Sequence, residues 1–177
     1  MEIFDSKIEI FLNLNSFLEF IKTHQVDLKV KNEKGRNLLH LACHIQADVE
    51  VVKYLVESKQ IDMKEKDENG YNLLQISSYE SSLSILKYLI SLKELDLKEK
   101  DEKNNNLLHH ASFKGDLETL KFLVELNYFD LNELNEDNHN ILLIASTENP
   151  NVEIIKYLLF LPNLNLFQTD SQGKKKF

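Results

Sequence analysis

The chain has 177 residues, with 21 Lys and Arg against 29 Asp and Glu, a net charge of −8 and a pI of about 5.3. That balance excludes nucleic acid as the main partner, because phosphate contact needs clustered Lys and Arg, and the only basic run is Lys174 to Lys176. Nothing approaches the roughly 18 apolar residues of a membrane span, Cys43 has no partner for an internal disulfide, and Met1 to Asp5 lack the basic and apolar runs of a leader, so the expectation is a soluble, cytoplasmic chain.

A polar segment returns along the chain. It begins at Asn32, Asp67, Asp101, Asn135 and Asp170, in steps of 35, 34, 34 and 35 residues. A fixed period of this size specifies stacked supersecondary units, each touching only its neighbours. The predicted units are 1–31, 32–66, 67–100, 101–134, 135–169 and a truncated start at 170–177. Residues 16–31 read as the second helix and return of a unit. Residues 1–31 are therefore predicted as a degenerate N-terminal capping repeat, its first helix within 1–15.

Within each unit the elements come in one order. A polar turn has Gly35, Gly70, Asn104, Asn138 or Gly173 at its fourth position. Gly and Asn tolerate positive φ, so a tight turn is specified there. Asn37, Asn72, Asn106 or Asn140 then caps a short apolar helix such as Leu107 to Ser112. Small residues recur in that helix (Ala42, Cys43; Ser77, Ser78; Ala111, Ser112; Ala145, Ser146), and Gly115 supplies a stop in one unit.

A second helix follows caps at Asp48, Ser82, Asp116 and Asn151. Its apolar stripe, for example Leu117, Leu120, Leu123 and Val124, has helical spacing. Lys53, Lys87, Lys121 and Lys156 share a position on its wet side. Tyr54, Tyr88, Phe122 and Tyr157 follow them, expected between adjacent units. Each unit closes on an apolar pair around an Asp or Asn, as in Leu95-Asp96-Leu97.

Turn, short helix, loop, longer helix and extended return together resemble the ankyrin repeat. Its Thr-Pro-Leu-His-x-Ala signature is matched by Asn-Leu-Leu-His-x-Ala at Asn37 to Ala42 and Asn106 to Ala111. The resemblance implies an all-α fold: an ankyrin-repeat solenoid of stacked helix-turn-helix units with β-hairpin-like finger loops. The departures point to looser repeats. Thr-Pro is replaced by Asn-Leu or Asn-Ile, the His becomes Gln75 and Leu143 in two units, and the Gly that usually ends the second helix is missing. The last helix and return, Tyr157 to Leu164, are apolar on most sides, whereas a terminal repeat needs a polar outer face. Either the array continues, or self-association or a partner covers that end.

No catalytic residues, cofactor or metal ligands are expected. His40 and His44 stand four apart, but the resemblance makes His40 and His109 structural residues that tie the fingers together. The same alignment makes Cys43 a buried packing residue rather than a nucleophile. The chain has no phosphate loop, nucleophile elbow or zinc-protease motif. The resemblance implies a protein or peptide partner, held by the concave face of finger tips and first-helix ends. Interface energy concentrates in aromatics and Arg. The candidate partner-binding residues are therefore Tyr71, Tyr79 and Phe113, flanked by Arg36, Ile45, Glu102, Lys114 and His139. A rival reading is the targeting part of a larger enzyme or effector; another is a self-associating structural unit.

Overall fold

The structure is a computed structural model that describes residues 13–166. Among the described residues there are nine helices, all α, and no strand. The chain divides into two compact units, one ending at Leu97 and the other beginning at Lys98.

The first unit holds α1 (Leu14–Thr23), α2 (Leu38–His44), α3 (Val49–Glu57), α4 (Leu73–Tyr79) and α5 (Leu83–Ser91). Here α2 packs on α3 and α4, α5 packs on α4 and α3, and α1 packs on α3. Leu38, Leu39, Leu55, Leu73, Leu74, Ile85, Leu86, Leu89 and Phe17 fill its core. The second unit holds α6 (Leu107–Phe113), α7 (Leu117–Glu125), α8 (Ile141–Glu148) and α9 (Val152–Leu159). There α6 packs on α7 and α8, and α9 packs on α8 and α7. Leu107, Leu108, Leu120, Leu123, Ile154 and Leu158 are its buried centre.

Helices of seven to nine residues do not hold in isolation. Caps and burial on neighbouring helices hold these. The side chains of Asn37, Asn72 and Asn106 accept the third helical N–H, while His40, Gln75 and His109 accept the cap's own N–H in return. Leu143 has no acceptor to return to Asn140, so that box is one-sided. Asp48, Asp116 and Asn151 cap the second helices as the sequence predicts. Ser82 sits at the fourth such position without a cap bond, because its hydroxyl donates to the Cys43 carbonyl at 2.7 Å. Helix α1 begins at Leu14, two residues ahead of the predicted start. The proposed first helix in 1–15 and the truncated start at 170–177 fall largely or wholly outside the described residues.

The loss of the terminal glycines has a visible consequence. Gln25, Lys59, Lys93 and Asn127 follow α1, α3, α5 and α7 with φ of 48°, 53°, 57° and 54°. The left-handed cap survives, carried by residues for which it costs about 1 kcal/mol more than for glycine. Gly115 works differently from the predicted stop. A Cβ there would collide with the Ala111 carbonyl oxygen, so the residue is fixed by close approach to α6.

Candidate functional site

The fingers are built by one rule. The first residue of each turn closes it through backbone and side chain together. Asn32 N–H donates to the Arg36 carbonyl at 3.0 Å, and Asp67, Asp101 and Asn135 repeat the bond to Tyr71, Asn105 and His139 at 3.0 to 3.1 Å. The side-chain oxygen of that first residue accepts from the N–H four positions on, at 2.8 to 3.0 Å in all four fingers. The fourth residue is left-handed each time: Gly35, Gly70, Asn104 and Asn138. Fingers within a unit are joined. Glu68 N–H donates to Lys34 O at 3.0 Å in the first unit, and Glu136 N–H to Lys103 O at 2.9 Å in the second.

Behind the fingers, histidines latch each first helix to the return that closes its own repeat. His40 Nδ1 accepts from Asn37 N–H at 3.3 Å, and its Nε2 meets the Glu65 carbonyl at 3.1 Å. His109 does the same with Asn106 and the Glu133 carbonyl, at 3.2 and 3.1 Å. Both contacts are satisfied by the Nε2–H tautomer. Burial holds both imidazoles below the usual histidine range, outweighing the nearby Glu133 for His109, which falls to about 4. Glu65 and Glu133 close the ladder from outside: each carboxylate accepts from the cap Asn, and from Lys31 at 2.9 Å or Lys100 at 2.6 Å. Burial pushes the Cys43 thiol up to about 12, which leaves no thiolate near neutrality. Among the described residues no group of three or more His, Cys, Asp or Glu is placed to hold a metal.

The predicted contact residues fall in two groups. In the first unit, Arg36 turns inward. Its Nε donates to Asp67 at 2.9 Å, and the Asp67 carboxylate is fully buried, so the guanidinium is committed to the neighbouring finger. Ile45, Tyr71 and Tyr79 are half-buried at the ends of α2, the second finger and α4. His44 reaches Glu80 at 2.9 Å between them. In the second unit, Phe113 and Lys114 end α6 and face outward, Phe113 with 40% of its surface exposed. Glu102 is an exposed finger tip, and His139 is half-buried at the base of the last finger.

The sequence reading missed the buried charges that hold the fingers, above all Asp67 and Asp101. Asp101 is buried and accepts from Asn105 N–H and Nδ2 and from Lys103 N–H. Burial raises its carboxyl, but the adjoining His110 imidazole and the hydrogen bonds from Asn105 outweigh that and hold it at about 2. The available signal was positional: an acid opens the second and third fingers where Asn opens the first and fourth.

On the outer face, the Lys53 ammonium stands 5.9 Å from the Tyr88 ring and that of Lys121 5.5 Å from the Tyr157 ring. Each is a lysine of one repeat over the aromatic of the next, at the outer limit of a cation–π contact. At the last helix, Phe160 is 87% exposed, beside Val152 and Leu159 at 58% and 49%. No helix among the described residues is long and apolar enough to cross a membrane.

A family model described as ankyrin repeats (3 copies) matches residues 10–101 and 91–170. Comparison with curated proteins gives no match.

Proposed function

The chain belongs to the ankyrin-repeat family, and from that premise we propose that it is a non-catalytic module that binds a partner protein or peptide. Its fold is an all-α ankyrin-repeat solenoid, and repeats of this kind are generally protein–protein interaction modules. The binding surface in this reading is the face of finger tips and first-helix ends, concave in such stacks. The observation that carries it is Phe113, an aromatic with 40% of its surface in solvent at the end of a helix whose other residues are buried. Ile45 and Tyr79 are half-buried at the first-helix ends of the first unit, and Tyr71 is half-buried at its second finger. Glu102, Glu136 and Asp137 are exposed finger tips, so the partner has some basic character. Arg36 leaves the set of energetic contacts, because its charge is spent on Asp67. We place the module in the cytoplasm and assign it no cofactor.

The test is capture from the source cell extract, beside a Tyr79→Ala, Phe113→Ala double variant. The wild-type chain retains one protein, and the variant loses it with helical circular dichroism unchanged. Capture that survives the double change removes the proposed surface. Raising the salt weakens capture if the acidic tips contribute.

A second reading has one observation in its favour. Phe160 stands where the earlier repeats have Glu57, Ser91 and Glu125, and it is the most exposed large apolar side chain among the described residues. Self-association through α9 would cover it. Sedimentation of the wild-type chain against Phe160→Glu decides: a monomer in both ends this reading.

A further inference from the structure

His110 occupies a place that its repeat equivalents fill with aliphatic residues. The residue after the helix latch is Leu41, Ile76 and Ile144 in the other units, all buried, and His110 is buried too. A polar ring at an apolar position has to answer to something. What it faces is Asp101: Nε2 lies 3.3 Å from Oδ2, a close polar approach off the line of a hydrogen bond, with 6% and 3% of the two side chains exposed.

Asp101 is the residue on which its finger is wound. Its Oδ1 accepts the N–H groups of Lys103 and Asn105 at 2.9 and 2.8 Å, and its own carbonyl accepts from Asn104 N–H at 3.0 Å. A buried carboxylate in that role needs a cationic or donor partner. The second finger solves the same problem from the preceding repeat, where Arg36 reaches Asp67 at 2.9 Å. The position of Arg36 is Tyr71 in the next repeat and Asn105 in the one after, neither of them cationic.

We propose that His110 is a positioning residue, which fixes the third finger by holding Asp101 against α6 and so sets Glu102 and Lys103 at a defined place relative to Phe113. The proposal rests on the reading of fingers and helix ends as the binding surface. Its own test needs no partner, so the two fail separately.

The experiment is amide hydrogen exchange on the full chain, comparing wild type, His110→Ile and His110→Gln. Isoleucine is what two sibling repeats carry. It should leave α6 and α7 protected while Lys103 and Asn105 amides exchange about tenfold faster. Glutamine keeps a donor and should restore wild-type exchange in the finger. In an Asp101→Asn background, His110→Ile should add nothing. Unchanged finger exchange in His110→Ile, loosening by glutamine equal to that by isoleucine, or a full further increase in the Asp101→Asn background would each overturn the proposal. If His110→Ile does not fold, wild-type exchange in His110→Gln supports it and loosened exchange overturns it.

Discussion

Acid should weaken this fold through its latching histidines, and His109→Gln isolates the effect. The His109 side chain is 1% exposed, and burial, against the pull of the Glu133 carbonyl and carboxylate, holds its imidazole at about 4 instead of 6.5. A base held below its ordinary value prefers to be neutral in the native state, so the unfolded chain takes the proton first. The stabilisation is complete above about pH 6.5 and declines as the pH falls towards 4, where the loss levels off. Between those limits the full effect is about 3 kcal/mol, and at pH 5 roughly 2 kcal/mol of it is gone. The protein contains its own design for the variant. Gln75 stands at the equivalent position and accepts the Asn72 N–H at 2.9 Å, so glutamine keeps the capping box. Urea unfolding followed by circular dichroism at neutral pH and at about pH 5 measures the difference. Wild type should lose about 2 kcal/mol more than His109→Gln on acidification. Equal losses in the two proteins would show that His109 is not the proton sensor, and the burial argument would fall with it.

Two further outcomes follow from the backbone and from the finger pairs. Lys59→Gly and Lys93→Gly relieve left-handed conformations after α3 and α5, and each should raise stability by about 0.5–1 kcal/mol in the same unfolding assay; a loss in both would mean that the lysine side chains contribute more than the strain costs. Arg36→Ala leaves the buried Asp67 carboxylate without its guanidinium and should cost about 3 kcal/mol, most of it recovered when Asp67→Asn is added, since Asn opens two of the other fingers.

What could be read from the sequence was local. The left-handed turn residues Gly35, Gly70, Asn104 and Asn138, the four asparagine caps and the apolar stripes of the second helices follow from each residue's own conformational and hydrogen-bonding preferences, and the structure has them at those positions. What was hidden depends on register between repeats. Ser82 has the composition of a cap, yet its hydroxyl is drawn to the Cys43 carbonyl, 39 residues away. Arg36 has the composition of a contact residue, yet a buried carboxylate 31 residues on captures it. Lys59 and Lys93 carry no mark of a left-handed cap, because the turn geometry is imposed by the return of the chain to the next finger. For the candidate surface, exposure of Phe113 was not readable either: helical spacing gives a stripe, but whether its last residue tucks inward depends on where the helix ends.

The repeats also divide their tasks by position, and that bears on how such a chain acquires a partner. Inner positions vary little from unit to unit: the cap Asn and the following leucine or isoleucine pair recur in all four, and two of the four carry a latch His bonded to the return that follows. Variation concentrates at finger tips and first-helix ends: Arg36, Tyr71, Asn105 and His139 share one place, and Ile45, Tyr79, Phe113 and Thr147 lie at or beside another. In a stack stabilised by neighbour contacts, changes at the second set cost little, since few of those side chains complete the core. Arg36 is the informative exception. It lies among the variable positions yet completes a buried ion pair, so it can change only together with Asp67. His110 is its mirror image, a polar residue in an otherwise aliphatic inner place. Both sit where a finger meets its support, and there a substitution alters the presented surface and its scaffold at once.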